Sequence, residues 1–186
     1  MCRPRVFCRL ALGSFYAILA SLFSVNASAQ SIEDFTISGD AARRALTSFE
    51  ISVETAERVA KACVDWATEH NGLASIVILS PGGNIVYAYR MDGENPINVD
   101  TAQYKAETAR YYRVSSRVVR NRYEAGGTVS MQVKHGKYMI EGGLPIIVDG
   151  QMIGAIGVGG FGGSDEVCAY HALTSVIGPQ PPLVVD

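Results

Sequence analysis

Asp149-Gly150, set between Leu144-Pro145-Ile146-Ile147-Val148 and Gln151 to Val158, constrains this chain more than any other feature. Two β-prone runs joined by two residues that tolerate positive φ fold back on each other, so the segment predicts a tight antiparallel hairpin. Ser75 to Ser80 and Asn84 to Arg90, joined by Pro81-Gly82-Gly83, predict a second one. Helical patterns separate the two. Ser52 reads as the N-cap of a helix through His70, with Val53, Ala56, Val59, Ala60, Cys63, Val64 and Ala67 at helical spacing and Asn71-Gly72 as its stop. Met91 to Asn98 reads as a polar loop and alanine-rich Asp100 to Val114 as a helix, followed by a shorter helix from Ser115 to Tyr123. Ser164 to Val176 predicts a last helix, with Asp165 and Glu166 complementing the dipole in its first turn. Helix, hairpin, helices, hairpin, helix is the order of an α/β chain of the α+β kind, an antiparallel sheet with helices packed on it, and not of a doubly wound parallel sheet.

The first segment is of a different kind. Arg3, Arg5 and Arg9 precede an apolar run from Leu10 to Val25 and the small tripeptide Ala27-Ser28-Ala29. That is the pattern of a cleavable signal peptide, and the apolar run is shorter than the roughly 20 residues needed to span a bilayer. The expected organisation is a signal peptide over 1–29, an N-terminal arm over 30–51, one domain over 52–178 and a loose tail over 179–186. The expected location is the periplasm or the medium, with no stable membrane anchor after cleavage. The leader carries Cys2 and Cys8, so Cys63 and Cys168 are the cysteines of the mature chain. In an oxidising compartment they read either as a disulfide or as two small buried hydrophobes.

Loss of the leader takes the formal net charge from −2 to −5. A mildly acidic chain argues against nucleic acid as the main partner.

A set of ordered motifs then narrows the reading. They are Arg90-Met91-Asp92-Gly93, Ala102 to Ala109 with Lys105-Ala106 and Thr108-Ala109, Gly142-Gly143-Leu144-Pro145-Ile146, Val148-Asp149-Gly150, Gly154-Ala155-Ile156-Gly157-Val158, and Asp165 ahead of Cys168-Ala169. Together they resemble the GlcG/HbpS family of haem-binding proteins, which includes the C-terminal domain of PduO. The resemblance runs from about Val53 to Leu173. It implies a profilin-like or roadblock-like sandwich, frequent assembly into homo-oligomers, and exported members that bind haem and sense or store it. Other members sit beside catabolic genes.

Haem asks for an axial ligand, an apolar slot and cations for its propionates. The mature histidines are His70, His135 and His171. His135 lies in Lys134-His135-Gly136-Lys137-Tyr138-Met139, which offers an imidazole, two ammonium groups and apolar neighbours, and is the first choice for the iron. The same stretch also reads as a solvated basic turn. His70 ends a helix and reads as structural, and His171 is a lesser candidate. Tyr104, Tyr111, Tyr112 and Met131 are alternative surface ligands. Arg90, Asp92 and Lys105 either line a cleft for an anionic group, with Tyr104, Lys134 and Lys137 nearby, or form a salt-bridge set pinning the first hairpin to the second helix.

Gly157-Val158-Gly159-Gly160-Phe161-Gly162 matches a dinucleotide loop in letters, but no βαβ unit follows and two acids stand at the next helix start. A glycine-permitted crossing into the last helix is the simpler reading. Ser-His-Asp arrangements, zinc-type cysteine spacings and Walker loops are absent from the sequence. The leading expectation is an exported protein that binds a small molecule, haem or a related planar anion. The rival is an enzyme or enzyme accessory acting on a small organic acid in a catabolic pathway, with Lys105 and Glu141 as acid/base groups.

Overall fold

The computed structural model describes residues 39–40, 49–126 and 137–184. The leader, most of the arm and the Lys134-His135 pair lie outside the described residues.

Both hairpins form where the turn chemistry places them. β1 (Ser75–Leu79) pairs antiparallel with β2 (Ile85–Arg90), and β3 (Gly143–Val148) with β4 (Gln151–Gly159). Asp149 and Gly150 have φ of 50° and 76°, the pair of positive values that a tight two-residue turn requires. β1 also pairs antiparallel with β4, with Ile76 opposite Val158 and Ile78 opposite Ile156, which joins the hairpins into one sheet of order β2-β1-β4-β3.

Helices cover both faces of the sheet. α1 (Val53–Glu69) begins where the Ser52 Oγ accepts the Thr55 N–H, and stops where Asn71 enters the left-handed region at φ 56°. It packs with α4 (Asp165–Val176) against Ile76, Ile78, Ile156 and Val158. α2 (Ile97–Tyr112) covers the opposite face, where Ala102 and Ala106 meet Val77 and Leu79. All five residues of β1 are therefore buried, as a central strand between two helical layers must be. The short α3 (Ser116–Glu124) follows α2, capped by Ser115.

Three local expectations are corrected. α2 starts at Ile97, not at Asp100, because Pro96 already holds helical φ and the Glu94 carboxylate takes the Asn95 N–H and the Asn98 amide, ordering a stretch that reads as polar loop. The arm ends in the domain: Ile51 is buried and its N–H donates to the Ile153 carbonyl. The tail is tied to the domain at two of its described residues. Gln180 accepts the Tyr170 hydroxyl, and Leu183 packs against the core.

Gly143, Gly157 and Gly159 make the floor on which α2 lies. A Cβ at any of them would run into α2 backbone, at the carbonyls of Lys105, Ala102 and Asn98 respectively. The letters of the dinucleotide motif thus belong to strand residues that admit a helix to close contact, then to the turn at Gly160 and a 3₁₀ turn over Gly162–Ser164. On the other face, a disulfide between Cys63 and Cys168 ties α1 to α4 with both cysteines fully buried.

Candidate functional site

α2 divides the candidate residues between its two sides. On the sheet side, Lys105 is buried and its Nζ donates to the Asp165 Oδ2 at 2.6 Å and to the Val158 carbonyl at 3.0 Å. Asp165 Oδ1 accepts the Phe161 N–H at 2.8 Å. Burial pushes the Asp165 carboxyl above its ordinary range, against the pull of Lys105 and of its hydrogen bonds. The acid assigned above to a helix dipole is thus the partner of a lysine sixty positions earlier.

Two further ion pairs surround this one. Arg117 Nε meets Glu166 Oε2 at 2.6 Å, with Glu166 buried and its Oε1 unpartnered among the described residues. Arg120 meets Glu141. Partial burial raises the Glu141 carboxyl, but its own backbone N–H, Arg120 and Arg117 together hold it below its ordinary value. Ser116 and Thr108 fasten the incoming chain: Ser116 Oγ donates to the Ile140 carbonyl and accepts the Gly143 N–H, and Thr108 Oγ1 accepts the Tyr138 N–H.

Both readings of the Arg90, Asp92 and Lys105 trio are corrected. Arg90, the last residue of β2, and Asp92, just beyond it, are exposed, and the Arg90 guanidinium donates to the Glu94 carbonyl, whereas Lys105 points beneath the helix to α4. A lysine held by two acceptors under a helix acts as a clamp. An ionised, arginine-paired Glu141 is likewise poorly placed to exchange protons.

The outer side of α2 presents another surface. Tyr104 and Tyr111 are half exposed, the Tyr138 ring lies 6.5 Å from that of Tyr104, and the Lys137 Nζ sits 4.8 Å from the centre of the Tyr111 ring. Glu107 and Arg110 pair at 2.7 Å beside it. Of the residues singled out in the sequence, Tyr104, Tyr111 and Lys137 are therefore at this surface, Tyr104 beside Tyr138 and Lys137 beside Tyr111. Lys134, His135 and Met131 lie outside the described residues. His70 stacks on Trp66 at 4.1 Å and gives its Nδ1 to the Trp66 carbonyl, as a helix-end histidine should, and His171 is exposed near the same ring. Tyr138 as a ring neighbour and the Arg117–Glu166 pair were not legible, because each depends on contacts across many residues.

The groups at this surface fit a planar ligand with an anionic edge: aromatic rings for a flat face, and the Lys137 ammonium, which lies 4.0 Å from the Glu107 carboxylate and would be shared with it, for a ligand carboxylate. Haem, if bound there, would supply the iron chemistry, with Lys137 able to hold a propionate and Tyr104 or Tyr111 able to offer a phenol oxygen to the iron.

An antiparallel four-stranded sheet between two helical layers, with buried ion pairs tying the helices to one another, defines an α+β sandwich of the profilin-like kind. The chain is 32% identical over 108 residues to Protein GlcG of Escherichia coli (strain K12), which covers 58% of this chain and 80% of that one. The crystal structure of Klebsiella pneumoniae protein ORFY, of family-model DUF336, superposes with a TM-score of 0.66 at 26% identity, over 73% of this chain and 96% of that one. The crystal structure of HbpS does so with 0.65 at 25% identity, over 70% and 93%. The family model described as "Haem degrading protein HbpS-like" matches residues 51–174. This chain belongs to the HbpS-like family.

Proposed function

We propose that this protein is an exported small-molecule-binding protein that takes haem, or a related planar anion, on the outer surface of α2. The observation that carries the reading is the Lys137 ammonium set over Tyr111 beside Tyr104 and Tyr138. Membership of a family whose description names haem supports the choice of ligand. The basic-apolar-small leader and a buried disulfide support export, since such bonds persist in oxidising compartments. Among the described residues no helix is long and apolar enough to cross a membrane. Assembly of identical copies is proposed on the family resemblance alone.

The test is an absorbance titration of the purified mature chain with haemin, alongside His135→Ala, Tyr104→Phe and Lys137→Ala. The reading expects a saturable Soret shift, weakened about fivefold by Lys137→Ala, the scale of one solvent-screened contact of about 1 kcal/mol. The variant that changes the band shape identifies the axial ligand. Absence of any saturable shift sinks the haem reading.

A further inference from the structure

A cavity that shares no lining residue with the tyrosine surface opens at the edge of the sheet. It is a half-open groove of about 370 Å³ between edge strand β3, the α2–α3 corner, α4 and tail residues 179–184. That volume falls in the roughly 300–1,000 Å³ range of small-molecule sites. Its walls are largely apolar, with Val118, Ile147 and Leu173 among them, and the tail side is latched by the Tyr170 hydroxyl on the Gln180 carbonyl.

The polar groups gather at the α2–α3 corner. Arg113 is exposed in the left-handed conformation that ends α2 at φ 57°, and has no ion-pair partner among the described residues. Ser115 caps α3 by accepting the Val118 N–H, which leaves its own hydroxyl hydrogen to donate. The N-terminus of α3 stands at the same corner and carries no acid in its first turn, so its positive dipole end is not neutralised by its own side chains. An apolar trough that ends in a guanidinium, a hydroxyl and a helix N-terminus has the polarity of an amphiphile.

From this arrangement we infer that the groove binds an aliphatic carboxylate of medium chain length, its head group forked by Arg113 at the start of α3 and its alkyl chain between β3 and the tail. The site is separate from the surface proposed for haem.

Isothermal titration of the full mature chain with decanoate, and with decanol as the uncharged match, tests the inference. Arg113→Asn keeps a residue that tolerates left-handed backbone and removes the charge. Val118→Trp fills the groove, and Ile147→Trp, on the exposed edge, fills it should the first variant fail to fold. The expected result is saturable decanoate binding about tenfold tighter than decanol, reduced to the decanol level by Arg113→Asn, as for loss of one charge-assisted contact. Decanol binding should be unchanged by Arg113→Asn, and both ligands should be lost on filling the groove. The haemin titration should be the same in all three variants, so failure of either proposal is read independently of the other. Equal affinities for acid and alcohol, binding that survives the filled groove, or haemin binding lost with it would each overturn the inference. So would a change in sedimentation on filling the groove, which would make it an interface between copies.

Discussion

Lys105 Nζ and Asp165 Oδ2 stand 2.6 Å apart with both side chains almost wholly buried, joining the helix on one face of the sheet to the start of the helix on the other. Removing one charge of such a pair strands the other in a low-dielectric interior. Lys105→Met should therefore cost about 3–5 kcal/mol, and Lys105→Met with Asp165→Leu should cost less than the single change. Urea denaturation of the single and double variants measures the coupling. Additive losses would show that the two groups act independently.

Glu141 and Asp165 should leave opposite marks on stability against pH. Glu141 is held below its ordinary value of 4.5, so its contribution is complete above that pH and is lost as pH falls through the lower folded value. Asp165 is raised above its ordinary value of 3.8, so its contribution is greatest below that pH and declines as pH rises through the folded value. Glu141→Gln should lower the urea midpoint at neutral pH and converge on the parent as pH drops below 4.5. A gap between the two proteins that stays constant down to the acid limit would contradict the Arg120 and Arg117 assignment.

The Cys63–Cys168 disulfide closes a loop with a sequence separation of 105. Replacing both cysteines by alanine should cost about 2–5 kcal/mol, toward the upper end for a loop of this length. The thiol count of the unfolded, unreduced mature chain should be zero. A reducing agent should lower the parent's urea midpoint and leave the alanine variant's where it is.

Gly157→Ala places a methyl group on the Ala102 carbonyl and should lift α2 from the sheet, at a cost of at least about 1–3 kcal/mol. Gly163→Ala has open space and no positive φ, and should be close to neutral. Thermal midpoints of the two variants provide the comparison, and equal loss in both would sink the account of the glycine floor.

What the sequence determined by itself is local. Asp149-Gly150 demands positive φ at both positions and forces a hairpin, Ser52 and Ser115 cap the helices that follow them, and Asn71 stops α1. The helix and hairpin order, the antiparallel sheet and the family were legible for that reason. Pairing of β1 with β4 was left to the tertiary structure, since two apolar strands some eighty residues apart bear no local mark of their register. The site divided in the same way. Lys105 stood out within a motif, but only the packing of α2 on Gly143, Gly157 and Gly159 turns it toward Asp165 and away from Arg90. Spacing left Cys63 and Cys168 open between a bond and mere burial, and the approach of α1 to α4 decided for the bond. Charge partners and ligand surfaces depend on which face of each helix meets the sheet, and that orientation is settled by packing over the whole core.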